Sequence, residues 1–450
     1  MRTFVVAAFA LGCSSRSEPH KDPGPKQVAE AAPAVADAAP ARTGAVLDAA
    51  PAPAPDPNRA LDAQLEWYRI TAMIGEPAEM PFAIGLSRDK PEGWIASGTE
   101  RLPIAVIERS PFVLRIPVRG AELRFGPGAG GKLRGQWLIS YYFKRDFDIV
   151  AEKIEGPATE NVFPGGEPPA FDVSGTWRVD IKEFGVGRAT FRQDARGMLT
   201  GTIIPPEVGD LRYLVGRLNG TRARLTAFDG VHGFLVEFIT ENGGRQLTGH
   251  WMVAGIGDFP FIATRDEAPP THVKVSAHMA PGKTRLSLPG LDRPPYAGKP
   301  VIVEYFGSWC PVCLDLIPEL VRLQREHATE GLQVRSIAVE PPGDNAEARH
   351  RLEEFRKEFG VTWPFEMRYT DEFNSVVPHE VVDATGFPVT IFLRRDHTVA
   401  AIHTGFVSRA AGPEHDEAVK HLDEIVASIV APASPSQSRS PAPGKPGKAR

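Results

Sequence analysis

Cys310 and Cys313 are two of only three cysteines in a chain of 450 residues, and Pro311 and Val312 separate them. Two thiols at this spacing can exchange between dithiol and disulfide. An apolar run, Val301 to Phe306, precedes them, and a helix-like run from Leu314 follows. A strand, a tight turn and a helix place the first thiol at a helix N-terminus, where unpaired N–H groups and the dipole favour a thiolate. The second thiol lies one turn deeper, within reach of a mixed disulfide. The count narrows the choice further. A structural disulfide framework would use more cysteines. A zinc site would need about four ligands, and neither a second Cys-x-x-Cys nor a Cys–His cluster is present. Thiol exchange is the chemistry that remains, with no metal and no cofactor required.

The elements that must hold this pair are legible from about Thr271 to Val430. Strand Val301–Phe306 leads through the cysteines to a helix over Leu314–Glu330. A strand over Gln333–Val339 follows, then a helix over Asn345–Phe359 with Leu352, Phe355 and Phe359 on its inner face. Gly386 to Leu393 reads as a turn plus a strand. Strand Val399–His403 and helix Glu414–Ile429 close the region. Strands alternating with helices indicate an α/β sheet.

Three stretches carry a family resemblance. They are Gly307-Ser308-Trp309-Cys310-Pro311-Val312-Cys313, then Phe387-Pro388-Val389-Thr390, and Ile402-His403-Thr404-Gly405-Phe406 with Ala411-Gly412. On these the region resembles the thioredoxin superfamily, specifically the TlpA/ResA-like extracytoplasmic thiol-disulfide oxidoreductases. The resemblance implies a thioredoxin-like α/β fold for 271–430. It makes Cys310 the exposed nucleophile, with a pKa in the roughly 3.5–7.5 range of such thiols, and Cys313 the buried resolving thiol. It makes Pro388 a cis-proline whose loop pairs with an extended substrate, flanked by apolar walls from Trp309 and Phe387. Pro311 removes an N–H near the Cys310 sulfur and Val312 adds no donor, so both tune the pair through what they omit.

Glu304 departs from the pattern of many such proteins, which carry an amide there. It stands six residues before Cys310, where thioredoxins hold a buried acid. Helices covering both faces of a central strand would bury it, raise its pKa and let it accept a proton from Cys313. A strand-end carboxylate facing solvent is the alternative. Leu316 is a second departure: an acid is common at that position, and only Asp315 is near.

Residues 61–270 read as β-rich, an antiparallel barrel or sandwich in two lobes, 61–165 and 166–270, dividing near Pro164 to Pro169. Alternating runs such as Val113 to Val118 and Phe234 to Phe238 fit half-buried strands. A small motif recurs at Leu133-Arg134-Gly135, Leu199-Thr200-Gly201 and Leu247-Thr248-Gly249, each after a Gly-containing turn, so each is expected to start the return strand of a hairpin. The second lobe holds Gly209-Asp210-Leu211-Arg212-Tyr213-Leu214 and Phe228-Asp229-Gly230-Val231-His232-Gly233-Phe234-Leu235, which resemble the β-rich region preceding the redox domain in some TlpA-like proteins. His232 beside Asp229 could suggest a metal or acid–base site; a turn residue capping backbone near an aromatic core is the favoured reading. Asp210 and Arg212 are expected to brace a loop.

The N-terminus reads as an address. Arg2, the apolar run Phe4 to Leu11, and Gly12-Cys13-Ser14-Ser15 describe a secretory signal over 1–12. It resembles a bacterial lipoprotein signal, which would lipidate Cys13 and, with Ser14 following, favour the outer membrane over the inner. Residues 13–60 are Ala/Pro-rich and expected to be a disordered linker; 431–450 are expected to be a disordered tail. A net charge of −5 gives no electrostatic case for nucleic acid, and no stretch reaches the roughly 18 apolar residues of a membrane span. The expected partners are protein thiols and disulfides of the cell envelope, an unidentified membrane electron donor, and the membrane itself through the lipid, in a periplasmic setting. Two other function classes compete. A thiol peroxidase would carry a Pro seven residues before its reactive cysteine; Val303 and Phe306 stand there instead. A non-enzymatic envelope binding protein would keep the disulfide as a local latch.

Overall fold

The computed structural model describes residues 57–109, 112–116, 120–139, 145–206, 209–266, 277–342, 345–369, 376–384 and 386–431. The signal segment, Cys13, nearly all of the linker, the 270/271 boundary and the tail after Ala431 lie outside them.

A short helix α1 (Arg59–Asp62) opens the described chain. Eight strands follow: β1 (Leu65–Met73), β2 (Glu79–Ser87), β3 (Glu92–Ser97), β4 (Glu100–Arg109), β5 (Phe112–Ile116), β6 (Ala121–Pro127), β7 (Leu133–Ile139) and β8 (Arg145–Ile154). Each pairs antiparallel with the next, and β1 pairs with β8, so the sheet closes into a barrel. After α2 (Thr159–Val162) the plan repeats: β9 (Gly175–Ile181), β10 (Gly185–Gln193), β11 (Met198–Ile204), β12 (Leu214–Asn219), β13 (Arg222–Phe228), β14 (Gly233–Glu241), β15 (Gln246–Val253) and β16 (Gly257–Arg265), closed by β9 against β16. Of barrel and sandwich, the lobes adopt the barrel. Closure leaves no strand edge unpaired. Period-2 burial fills the interior: Trp177, Val179 and Ile181 of β9 are buried, while Arg178 and Asp180 between them are exposed.

The recurring Leu-x-Gly sits where the hairpin reading put it, at the start of β7, β11 and β15. Its glycine has a steric cause. A methyl group on Gly135, Gly201 or Gly249 would collide with the carbonyl oxygen of Arg124, Thr190 or Glu237 on the preceding strand. The strands approach there more closely than a side chain allows.

Each barrel has its own core, and the second lends Phe228, Val231 and Ala254 to that of the first. The β13–β14 turn of the second inserts into the first: Phe228 packs on Phe82 at 4.0 Å and edge-on to Trp137 at 4.9 Å. Trp137 Nε1 donates to the Gly230 carbonyl at 2.9 Å. Asp229 turns the chain by accepting from the amides of Val231 and His232 and from the His232 ring. His232 is therefore a buried turn residue stacked near Phe234.

The last domain has β17 (His278–Met279) paired with β21 (Val381–Val382), and a five-stranded sheet in the order β20 (Phe365–Tyr369), β19 (Gln333–Glu340), β18 (Val301–Phe306), β22 (Val389–Leu393), β23 (Val399–Thr404). β18, β19 and β20 run parallel; β22 and β23 are antiparallel additions. Helices α3 (Pro311–Glu326), α4 (Asn345–Phe359) and α5 (Pro413–Val430) pack on it through Leu316, Leu320, Phe355, Leu422 and Val426, all buried. Every residue of β18 is buried, as a central strand covered on both faces must be. The active helix differs from its sequence reading. It starts at Pro311 rather than Leu314, because proline's fixed φ and missing N–H suit the first helical position. It stops at Glu326, short of Glu330, at a His327 C-cap.

Gly135→Ala, Gly201→Ala or Gly249→Ala is expected to destabilise by about 2 kcal/mol, read as a lower urea midpoint. Gly126→Ala, where the added carbon meets nothing within 4 Å, is expected to leave the midpoint in place.

Candidate active site

Cys310 is the N-cap of α3, with φ −88° and ψ 116°. Its sulfur accepts the Cys313 amide at 3.3 Å, one of the donors a helix start leaves unpaired. On the other side its thiol points to the Phe387 carbonyl at 3.8 Å. The Phe387–Pro388 peptide is cis. The Pro388 carbonyl is taken by the Gly405 amide at 3.0 Å, so the backbone presented to the sulfur is that of Phe387. Trp309 packs edge-on to Phe387 at 5.9 Å and is fixed by its Nε1 donating to the Val339 carbonyl at 3.0 Å. Pro311 and Val312 occupy the first turn between the cysteines.

One expectation is corrected. Cys310 is not exposed; it retains 5% of its surface. The Phe387 loop covers one side. The backbone of Gly209, from the second barrel, packs so closely on Val312 and the Phe406 carbonyl that a side chain there would collide with both. Cys313 is fully buried. Burial pushes its thiol well up, and the hydrogen bond with Cys310 and the charge on that sulfur add to the shift.

Glu304 lies in the middle of the sheet with no exposed surface, so the solvent-facing alternative is set aside. Burial pushes its carboxyl up to about 7, against a smaller opposing effect from the Ser336 hydrogen bond. Ser336 Oγ donates to Glu304 Oε2 at 2.7 Å and accepts from Trp363 Nε1 at 2.8 Å. Glu304 Oε1 has no hydrogen-bond partner among the described residues. The charge of Glu304 also pushes the Cys313 thiol up, so the two groups feel one another. A carboxyl that gains and loses its proton near neutrality can exchange one with a buried thiol.

Ser336, Trp363 and Glu340 carry no motif and complete the site with Ser308 of the cysteine stretch. Glu340 accepts from the Ser308 amide and hydroxyl, both at 3.0 Å, and anchors the turn before Trp309. Pairing β18 with β19 would have found Ser336, the register partner of Glu304. Trp363 comes from the loop after α4 and has no such signal.

Asp315, the one acid near Leu316, is taken up by a neighbouring domain. Both its oxygens accept from Arg212 Nη1 at 2.9 Å, and Arg212 Nη2 pairs with Glu100 of β4. Burial works against the guanidinium charge, yet Asp315 and Glu100 outweigh it and hold the pKa up. Asp210 accepts from the Ser408 amide at 2.6 Å, the Ser408 hydroxyl at 2.7 Å and the Thr202 hydroxyl at 2.9 Å. Asp210 and Arg212 do brace a loop, and they brace it against the redox domain.

Because the folded state holds Glu304 protonated up to about pH 7 while an unfolded glutamate ionises near 4.3, its contribution to stability is full below that lower value and is lost as pH rises through 7. Glu304→Gln is expected to flatten stability between these values and to gain up to about 3 kcal/mol at pH 8, measured by urea unfolding at pH 5 and pH 8.

No family model matches the chain. It is 26% identical over 128 residues to the thiol-disulfide oxidoreductase ResA of Geobacillus thermodenitrificans, a match covering 28% of this chain and 66% of that protein. It is 23% identical over 125 residues to ResA of Geobacillus kaustophilus, with 28% and 66% covered. The chain thus spans just under two thirds of these relatives. Among solved structures, a thioredoxin-family thiol:disulfide interchange protein from Chlorobium tepidum aligns at 22% identity over 37% of this chain and all of that one, with a TM-score of 0.23. Over a little more than a quarter of its length, the chain is similar to the ResA thiol-disulfide oxidoreductases.

Proposed function

We propose that the protein is an extracytoplasmic thiol-disulfide oxidoreductase that reduces disulfides in other proteins. One observation carries this reading: the Cys310 sulfur caps the active helix, receives the Cys313 amide, and faces the carbonyl before a cis-proline. Cys310 attacks one sulfur of the substrate disulfide as a thiolate, forms a mixed disulfide and expels the other sulfur as a thiolate. The Cys313 thiol then loses its proton and attacks Cys310, closing the intramolecular disulfide and releasing the second substrate thiol. Glu304, in its ionised form, takes the Cys313 proton. Two electrons have passed from the dithiol to the substrate, and a membrane-borne donor must return them before the next cycle.

With the sulfur facing the Phe387 carbonyl and the Gly209 loop packed on neighbouring Val312, an extended segment suits the site better than a flat protein face. The location rests on Arg2, the apolar run after it and Cys13. Lipid on Cys13 would tether the protein to a membrane on the periplasmic side, the outer membrane by its Ser14.

The wild-type chain is expected to accelerate insulin reduction by dithiothreitol, and Cys310→Ser to return it to background; an unchanged rate would overturn the assignment. Cys313→Ala is expected to accumulate mixed disulfides in the native envelope. For the anchor, Cys13→Ser is expected to move the chain from the detergent-extracted membrane fraction to the soluble one, read by fractionation and blotting.

A further inference from the structure

Where the three domains meet lies a cleft of about 590 Å³ that the thiol chemistry does not use. Its walls are basic although the chain carries a net charge of −5. Arg59, Arg101, Arg192 and Arg409 line it, and Asp62 is the one acid among its described lining residues. Asp62 is spent on Arg101, which grips it through Nε at 3.0 Å and Nη2 at 2.6 Å. The other three guanidiniums come from α1, from β10 and from the turn before α5, one from each domain or its approach. None has an ion-pair partner among the described residues. Like charges on the low-dielectric walls of a cleft focus a positive potential into it.

The end of a helix adds to that field. The 18-residue helix α5 opens on the cleft through Gly412 and Pro413, and its N-terminus has no side-chain cap. Pro413 has no N–H and the Gly412 amide donates to the Arg409 carbonyl at 3.1 Å, so what the end contributes is the partial positive charge of the dipole. Of its two first-turn acids, Glu414 pairs with Arg188 at 3.2 Å, and Asp416 is exposed and does not line the cleft. Arg192 Nη2 lies 3.9 Å from where a side chain on Gly412 would begin, so a guanidinium and a positive helix end stand side by side.

Two neutral donors complete the wall. Thr190 Oγ1 is buried without a hydrogen-bond partner among the described residues. Burial, with the nearby Glu100 and Asp315 charges, pushes the Tyr213 phenol up to about 12, so it keeps its proton and can donate.

We propose that this cleft binds a small polyanion with at least two clustered oxyanion groups, phosphates or carboxylates, gripped by Arg59, Arg192 and Arg409. Forked guanidiniums suit both oxyanions. A ligand held there touches all three domains at once and stabilises their assembly by mass action.

The full chain is titrated by calorimetry with inorganic pyrophosphate and, separately, with citrate at physiological ionic strength. Saturable binding of at least one probe is expected, with a matching rise in melting temperature. Pyrophosphate alone would point to phosphoryl ligands and citrate alone to carboxylates. The Arg192→Ala/Arg409→Ala variant is expected to bind at least about tenfold more weakly, while Arg222→Ala, on the same barrel outside the cleft, binds as wild type. Melting without ligand checks that the double variant is folded; should it not be, Arg192→Gln carries the comparison. No saturable binding of either probe, undiminished binding by the cleft variants, or an equal loss in Arg222→Ala would each overturn the proposal.

Discussion

The arrangement of this protein turns on one buried guanidinium. Arg212 stands on the second barrel, yet its two carboxylate partners belong to the first barrel and to the active helix. A charge taken out of water is tolerable only while both partners are present; stripping one from such a group costs about 3–5 kcal/mol. The cost does not make the pairing a large net source of stability. It makes the geometry all-or-none. The redox helix cannot tilt or slide against the barrels without exposing a carboxylate or stranding the arginine. Asp210, with two bonds to Ser408, fixes the same loop from its other end. The Gly209 backbone is thereby pressed onto Val312, between the two cysteines. The turn between the two cysteines is thus packed by two domains.

The redox domain was largely legible because its signals are local. Cys-x-x-Cys, the strand before it and the Phe387-Pro388 turn are short patterns with a direct physical meaning, and the element order followed from them. Glu304 was legible because a central strand covered on both faces leaves nowhere for a carboxylate but the interior. The barrels were legible as hairpins, and their closure was not: whether β1 meets β8 depends on accumulated twist and stagger, which no single window of sequence carries. The residues at which the domains touch were hardest to read. Arg212 and Asp315 lie over a hundred positions apart, and nothing about either as a surface-type residue announces a buried partner. For the same reason Cys310 was expected to be exposed; what covers it arrives from a distant loop.

The buried polar residues divide by how completely they are satisfied. Asp210, Asp229 and Glu340 each accept two or more hydrogen bonds, and each fixes a turn. Glu304 and Glu380 differ, each with one oxygen bonded and the other without a partner among the described residues, and of the two Glu304 lies in the central strand. A buried carboxylate left this way is costly. Its half-satisfied state has a chemical counterpart, since a fully bonded carboxylate would hold its charge down to acid pH and would be a poor proton acceptor at neutrality.

The turn from Phe228 to Gly233 also bears on how the chain is made. β8 ends at Ile154, but the first barrel lacks part of its core until Phe228 and Val231 arrive from the second. During synthesis the first barrel therefore emerges with an apolar mouth open around Phe82 and Trp137. It must wait for most of its successor before that mouth closes. Cutting the chain between the barrels would leave the first with a wet, aromatic opening where a neighbour should be.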